Sequence, residues 1–155
     1  AGRTDIDNAV KYMEEAIASE ESDADTDANY YYELAAYSFK NGNNAKAVQA
    51  AQAAVETSDV VDGKAYMLIG TIWGGIVCPG NAIEQRAKYW VAVDYMNKAK
   101  AADPSLTEDC NDNINQYRVY FPQTAEAFMY DLTDGKPYTV SCGGMRASTT
   151  VRTQK

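Results

Sequence analysis

Small and large apolar residues recur along this chain at helical spacing, and the same arrangement occurs twice. The two copies begin 35 residues apart, at Tyr31 and Tyr66. The first copy reads Tyr31-x2-Leu34-Ala35, then Ala47-x3-Ala51-x2-Ala54; the second reads Tyr66-x2-Ile69-Gly70-x2-Trp73, then Ala92-x3-Met96-x2-Ala99. In paired helices, small residues let the two backbones approach, and large residues fill the remaining gaps. The pattern therefore predicts two pairs of antiparallel helices that stack on each other.

The same periodicity predicts further helices on either side of these pairs. Helices are expected at 5–19, 28–40, 45–57, 64–74, about 83–100, 107–120 and 122–131. Asn41-Gly42 is a strong turn signal, and Asp103-Pro104 ends the helix before it. Asp27 is the expected N-cap of the second helix, and Ser105 or Thr107 that of the sixth.

The amino-acid composition of the chain changes after residue 134. Two runs rich in β-branched residues flank Gly143-Gly144, which is typical of a β-hairpin. A disordered tail is the alternative, because the last residues are polar.

The double signature resembles the tetratricopeptide repeat, well over residues 28–106 and loosely over 5–131. Three further runs look like a bacterial group of such proteins with a β-hairpin tail: Trp90-Val91-Ala92-Val93-Asp94, Tyr120-Phe121-Pro122 and Thr149-Thr150-Val151-Arg152. The resemblance implies an all-α fold, a tetratricopeptide-like α–α superhelix of helical hairpins with a short C-terminal β-hairpin. The repeat domain would span 1–134, with a lone helix at 5–19, repeats at 28–59 and 63–106, an insertion at 75–86 and terminal helices at 107–131. Residues 135–155 would form the tail, packed on the same domain.

Members of the general family bind proteins, usually extended peptides, in a concave groove lined by the first helix of each repeat. Carried over to this chain, the groove positions are Asn29, Tyr32, Ala36, Phe39, Lys64, Met67, Thr71, Glu108, Asn111, Asn115 and Arg118. The family's clamp for peptide termini needs several basic groove residues. Only Lys64 and Arg118 are basic here, so that clamp is not expected.

The resemblance thus implies a protein-interaction module or scaffold whose partner the sequence does not name. Two alternatives stay open: a packing scaffold without a groove ligand, and a self-associating structural component of the bacterial cell envelope. A homo-oligomer is compatible with either. The bacterial group is commonly exported, which favours a periplasmic location over a cytoplasmic one.

Composition excludes several other classes of function. The net charge of −8 disfavours nucleic acids and anionic lipids as partners. The absence of histidine removes the commonest general base and metal ligand, and no catalytic constellation assembles. No apolar run approaches the ~18 residues of a membrane span. We therefore expect no enzyme activity, no cofactor and no membrane insertion.

Metal binding is not expected either. The three cysteines lack C-x2-C spacing, which disfavours zinc. The run Asp23-x-Asp25-x-Asp27 suggests a calcium loop, but Ala28 and Leu34 stand where an EF-hand needs glycine and glutamate. A solvated connection between helices is the simpler interpretation.

The order of loops in stacked helical pairs predicts one disulfide, if the protein is exported. Cys78 lies in a loop between the two helices of a pair, at one edge of the stack. Cys110 begins the next helix near the opposite edge, about 15–20 Å away, which exceeds the ~7 Å limit between bridged α-carbons. The tail strand climbs back towards the Cys78 edge and carries Cys142 there. The expected bond is Cys78–Cys142.

Overall fold

The computed structural model describes residues 3–18 and 23–154, with side chains described for 8–17 and 23–154. This part of the chain forms seven α-helices and one two-stranded antiparallel sheet. The elements are α1 (Arg3–Ala18), α2 (Ala24–Lys40), α3 (Asn44–Thr57), α4 (Asp62–Gly75), α5 (Lys88–Ala102), α6 (Thr107–Arg118), α7 (Thr124–Phe128), β1 (Pro137–Cys142) and β2 (Met145–Thr150). The mostly helical fold with a C-terminal hairpin is thereby confirmed. The predicted end of the first helix at Ser19 and the acidic stretch 19–22 lie outside the described residues.

Helices α2 and α3 form an antiparallel pair joined by a tight turn. Gly42 takes a φ of 80°, and the Asn43 amide donates to the Ser38 carbonyl at 2.8 Å, which ends α2. The Asn43 side chain then accepts from the Lys46 amide and caps α3. At the other end of the pair, the Ser58 hydroxyl donates to Asp25 at 2.5 Å. The start of α2 therefore lies beside the end of α3.

Helices α4 and α5 form the second antiparallel pair. A β-carbon added to Gly70 would lie 3.0 Å from Met96 Cε and 3.1 Å from the Ala92 carbonyl oxygen. Gly70 thus marks the point where α4 and α5 cross, as its place in the repeated signature predicts. Trp73 of α4 and Trp90 of α5 are fully buried in the core around this crossing. The third long helix, α6, packs on α5, where Lys100 donates to Asn111 at 2.8 Å.

The predicted N-cap residues of α2 and α6 are wrong. Asp23, not Asp27, caps α2: its side chain accepts from the Thr26 amide at 2.7 Å. Neither Ser105 nor Thr107 caps α6; a 3₁₀ turn at Pro104–Leu106 precedes that helix, and Asp103 caps the turn by accepting from the Ser105 amide. In both places several capping residues lie close together, and the backbone conformation selects one of them.

The insertion between α4 and α5 is a loop with a few buried side chains, not an early start of α5. The Asn81 side chain accepts from the amides of Ile83 and Glu84, so residues 81–87 form turns. Ile83 is buried, and α5 begins only at Lys88. The Lys88 ammonium donates to the Ile76 carbonyl and joins the two ends of the loop.

The hairpin packs against the second helical pair. Gly143 and Gly144, with φ of 62° and 76°, form the two-residue turn between Cys142 and Met145, where only glycine takes such angles without strain. Tyr138 packs edge-on against Trp90 at 5.4 Å between ring centroids. These contacts attach the tail to α5 as part of one core.

The structure contains the Cys78–Cys142 disulfide, the pair that the loop order predicts, with α-carbons 5.6 Å apart. Cys110 is a free, buried thiol at the start of α6. The disulfide therefore joins the insertion loop to the end of β1 and fastens the hairpin to the second helical pair.

Candidate functional site

An open cleft of about 1060 Å³ lies between α5, α6 and the C-terminal segment 152–154. We call it the α5–α6 cleft. Its apolar part consists of buried Val93, Ile114 and Phe121 and of exposed Val119. Its polar part includes the carboxamides of Asn97, Asn111, Asn115 and Gln154. An apolar floor with a few convergent polar groups is typical of a binding site.

The electrostatics of the α5–α6 cleft differ from those of the whole chain. Three basic residues line it, Lys100, Arg118 and Arg152, and no acidic residue does. Arg152 is neutralised by Asp94 at 2.6 Å. Lys100 donates to the neutral Asn111, and neither Lys100 nor Arg118 has an ion-pair partner among the described residues. Two uncompensated positive charges therefore lie along the cleft.

The C-terminal wall of the cleft is held in place by a hydrogen-bond network. Besides its ion pair, the Arg152 guanidinium donates to the Trp90 carbonyl at 3.1 Å and to the Thr149 hydroxyl at 2.8 Å. The Gln154 carboxamide donates to the carbonyls of Val119 and Phe121. These bonds satisfy polar groups at the end of α6 and fix the segment against it. The wall is therefore part of the folded core.

A second, smaller cleft of about 630 Å³ lies beside Gly74 and α6 and shares Asn115 and Val119 with the first. Tyr89 and Tyr120 stack there with ring centroids 4.5 Å apart, and Tyr117 lies 5.8 Å from Tyr89. Burial raises the pKa of both Tyr89 and Tyr117. None of the residues that line this tyrosine cleft is charged, so it is neutral where the α5–α6 cleft is positive.

The structure brings three of the predicted site residues together. Asn111, Asn115 and Arg118 lie on one face of α6, at positions i, i+4 and i+7, and all three line the α5–α6 cleft. Glu108, one turn earlier, is exposed and does not line it.

The predicted residues of α2 and α4 lie elsewhere. The Lys64 ammonium sits 4.5 Å from the centre of the Tyr32 ring, so these two first helices meet there. Met67 packs partly against the core, and its carbonyl accepts from the Thr71 hydroxyl. The remaining predicted residues of α2 are Asn29 and Phe39, which are exposed, and Ala36, which is half-buried. None of these residues lines the α5–α6 cleft.

Sequence reasoning missed the α5 side and the C-terminal side of the cleft. Val93, Asn97 and Lys100 lie on one face of α5, at positions i, i+4 and i+7, and this spacing was the available signal. The segment 152–154 gave none, because most of its partners, from Asp134 to Trp90, are 19 to 62 residues away in the sequence.

The described residues were also compared with the requirements of a metal site and of a membrane-spanning helix. Among the described residues, no three His, Cys, Asp or Glu side chains are placed to hold a metal ion. Within the same residues, no helix combines the length and apolar character needed to cross a membrane.

No protein-family model, curated protein or solved structure matches this chain. The case for a family and a function therefore rests on the sequence pattern and on the geometry of the surfaces described above.

Proposed function

We propose that this chain is a protein- or peptide-binding module built as a short tetratricopeptide-like superhelix. Three features support the proposal: the antiparallel pairs α2–α3 and α4–α5, the packing of each pair on the next helix, and the close crossing at Gly70. Each is expected of stacked helical hairpins, in which a repeat contacts mainly its neighbours.

The observation that carries the proposal is the α5–α6 cleft. Its floor of Val93, Ile114 and Phe121 offers apolar surface to side chains of a partner. The carboxamides of Asn111 and Asn115 carry both donors and acceptors, which match the main-chain groups of an extended peptide. Arg118 adds a charged donor on the same face of α6, about one turn after Asn115. The cleft is thus suited to hold a segment of another polypeptide.

The concave surface of the first helices is the second contact region in this proposal. Tyr32 and Lys64 adjoin each other there, and Phe39 leaves 39% of its surface exposed. Aromatic residues beside polar ones are common anchors in protein interfaces. A partner that spans both regions would engage α2, α4 and α6.

The proposed role is non-catalytic and extracytoplasmic. Cys78 is held in a disulfide and the thiol of Cys110 is buried, so neither is available as a nucleophile. Disulfides persist in oxidising compartments, which supports export to the periplasm. The carboxylates of Glu14 and Glu15 are exposed on the surface of α1, as ordinary solvated side chains are.

Self-association as a structural component of the cell envelope is the second candidate function. Its support is the exposed apolar surface at the end of α7, where Phe128 is 69% and Met129 82% exposed. Such surface is often covered by another protein.

Selection from a random peptide library tests the binding function. The double variant Tyr32→Ala, Arg118→Ala should bind selected peptides about tenfold more weakly or worse, with unchanged helical circular dichroism. Tyr37→Ala with Arg146→Ala is the matched control, since both side chains are exposed and neither lines the cleft. Equal affinity for the wild type and the first double variant would contradict the assignment of the surface.

A further inference from the structure

The tyrosine cleft beside α6 depends on a glycine near the end of α4. A β-carbon added to Gly74 would lie 2.6 Å from the Cε1 and Cζ atoms and 2.7 Å from the hydroxyl oxygen of Tyr117. Because side-chain carbons do not approach other atoms so closely, a larger residue at position 74 must displace the phenol. Gly74 has no positive φ that would call for glycine on other grounds. The close approach therefore places the Tyr117 ring against α4 as one wall of the cleft.

The three tyrosines of the cleft form one continuous aromatic surface. Tyr117 lies at the end of α6, Tyr120 lies in the turn that follows, and Tyr89 of α5 packs against both. The rings of Tyr89 and Tyr120 are nearly parallel, with 14° between their planes. Tyr89 covers one face of the Tyr120 ring, yet 49% of Tyr120 is exposed. The opposite face of that ring is therefore accessible to a ligand.

The polar groups of the cleft are neutral and have no partner within the protein. Five side chains supply these groups: Tyr89, Asn115, Gln116, Tyr117 and Tyr120. Within the part of the chain that the structure describes, none of these five side chains makes a hydrogen bond. A ligand can therefore accept hydrogen bonds from the hydroxyls and the carboxamides without breaking a bond of the fold.

Charge excludes several classes of ligand for this cleft. No charged side chain lines it, so neither an acidic nor a basic ligand gains an ion pair there. Aromatic rings also attract cations, but the Lys88 ammonium already lies 5.0 Å from the centre of the Tyr89 ring. Lys88 is buried and donates to the Ile76 carbonyl. A cationic ligand would meet this fixed positive charge, so the cleft favours an uncharged ligand.

A proline-rich segment matches these groups better than other uncharged ligands. The polyproline II helix has no internal hydrogen bonds, so its carbonyl groups are free to accept. Proline has no N–H, so such a segment brings acceptors without donors. Its rings pack on aromatic side chains, and the helix is already ordered before it binds. A sugar, in contrast, brings a donor with every hydroxyl, and no carboxylate lines the cleft to accept it.

We propose that the tyrosine cleft binds a proline-rich segment of a partner protein in the polyproline II conformation. Proline rings of the partner pack on the accessible face of Tyr120 and against Tyr117. The hydroxyls and carboxamides of the cleft donate to the carbonyl groups of the segment. The inference goes beyond the proposed function, which rests on the α5–α6 cleft and on Arg118. The two clefts share Asn115 and Val119 but differ in their other lining residues, so their ligands can be tested separately.

Fluorescence anisotropy with a labelled, end-blocked octaproline peptide tests the proposal. The full chain should bind octaproline and should not bind a glycine–serine peptide of the same length. Tyr120→Ala removes the accessible ring and should weaken octaproline binding about tenfold or more. Tyr130→Ala is the matched control, because Tyr130 is also exposed but does not line the cleft.

Gly74→Ala tests the shape of the cleft without removing any ring. The added β-carbon displaces the Tyr117 phenol and should weaken octaproline binding about threefold or more. Gly75→Ala is its control, because no atom lies within 4 Å of the added carbon. Helical circular dichroism shows whether each variant is folded. Tyr120→Ala changes an exposed side chain and decides the matter if Gly74→Ala does not fold.

Three results would overturn the proposal. The first is octaproline that does not bind the wild-type chain. The second is octaproline that binds Tyr120→Ala, or folded Gly74→Ala, as tightly as the wild type. The third is binding of cellohexaose, an uncharged sugar, through Tyr120 in place of octaproline, which would assign the cleft to sugars.

The same peptide separates this proposal from the proposed function. If octaproline does not bind but library peptides bind through Arg118, the proline-rich ligand is wrong and the binding function of the α5–α6 cleft stands. If octaproline binds through Tyr120 but no library peptide depends on Arg118, the proline-rich ligand stands and the function proposed for the α5–α6 cleft fails.

Discussion

The helical pairs α2–α3 and α4–α5 share one sequence signature but differ in how their helices are joined. Three residues, 41–43, connect the first pair, whereas twelve residues, 76–87, connect the second. The first connection is closed by its own hydrogen bonds around Gly42. The second is held by distant parts of the chain: the disulfide to Cys142 and the ion pair between Arg86 and Glu126.

The added length of the second connection makes room for the tail. Ile76, Cys78 and Ile83 of the connection are buried, as are Val140 and Cys142 of the hairpin. All five belong to one core cluster. A repeated signature thus specifies how two helices cross, while the connection between them decides what else can pack on the pair.

Removal of the disulfide should produce the largest difference in stability between the two helical pairs. Cys78→Ser with Cys142→Ser removes a link across 64 residues, which stabilises the folded chain by about 4 kcal/mol in the chain-entropy model. Hydrogen exchange should show loss of protection in the hairpin and in α4–α5, with α2–α3 less affected.

Cys110→Ala is the control for that experiment, since it removes a buried thiol and leaves the disulfide intact. A uniform loss of protection over all helices would show that the two pairs unfold as one unit. The difference between their connections would then have no effect on local stability.

Overpacking the crossing of the second pair should have the next largest effect. Gly70→Leu places four carbons where Met96 and the Ala92 carbonyl already lie at contact distance. We expect the free energy of unfolding to fall by about 1–3 kcal/mol or more, measured by urea denaturation.

Gly75→Leu, in the same helix, is the matched control because no atom lies within 4 Å of its added β-carbon. An unchanged melting temperature for Gly70→Leu would mean that the register taken from the double signature is wrong.

The smallest predicted effect concerns the ion pair between Arg86 of the connection and Glu126 of α7. The hydrogen bond from Arg86 lowers the pKa of Glu126 below its ordinary value of 4.5. A carboxyl whose folded pKa is lowered stabilises the fold above its unfolded pKa, and this contribution disappears as the pH falls through the folded pKa.

Arg86→Met should therefore cost about 0.5 kcal/mol near pH 7, as partly exposed pairs do, and less near pH 3, which lies below the ordinary pKa of a glutamate. Unfolding titrations of both proteins at the two pH values measure the difference. If the substitution lowers the free energy of unfolding by the same amount at both pH values, its effect comes from packing and not from the ion pair.

The helices of both pairs could be predicted because their signals are local. The turn at Asn41-Gly42 and the break at Asp103-Pro104 act within a few residues of themselves, and the small residues of each pair recur at a fixed helical spacing. The cap of α2 could not be chosen in advance, because Asp23, Asp25 and Asp27 are equally able to accept from a following amide.

The candidate site could be predicted only in part. Asn111, Asn115 and Arg118 share a helical face by spacing alone, but the neighbours of that face depend on how α6 is rotated on α5. Helix α6 buries few apolar side chains, chiefly Ile114 and Cys110, so periodicity constrains its rotation weakly. The tail side of the cleft depends on contacts between residues far apart in the sequence, such as Trp90 with Arg152.

Cys110 gives the folded chain a built-in reporter of opening. Its thiol is fully buried, and burial, together with the charge of Asp109, raises its pKa, so it is a poor nucleophile in the native state. The other two cysteines are joined to each other. A thiol reagent added without reductant therefore labels the protein at one position, at a rate set by how often α6 moves away from α5. That rate measures the local stability of the cleft wall without any engineered probe.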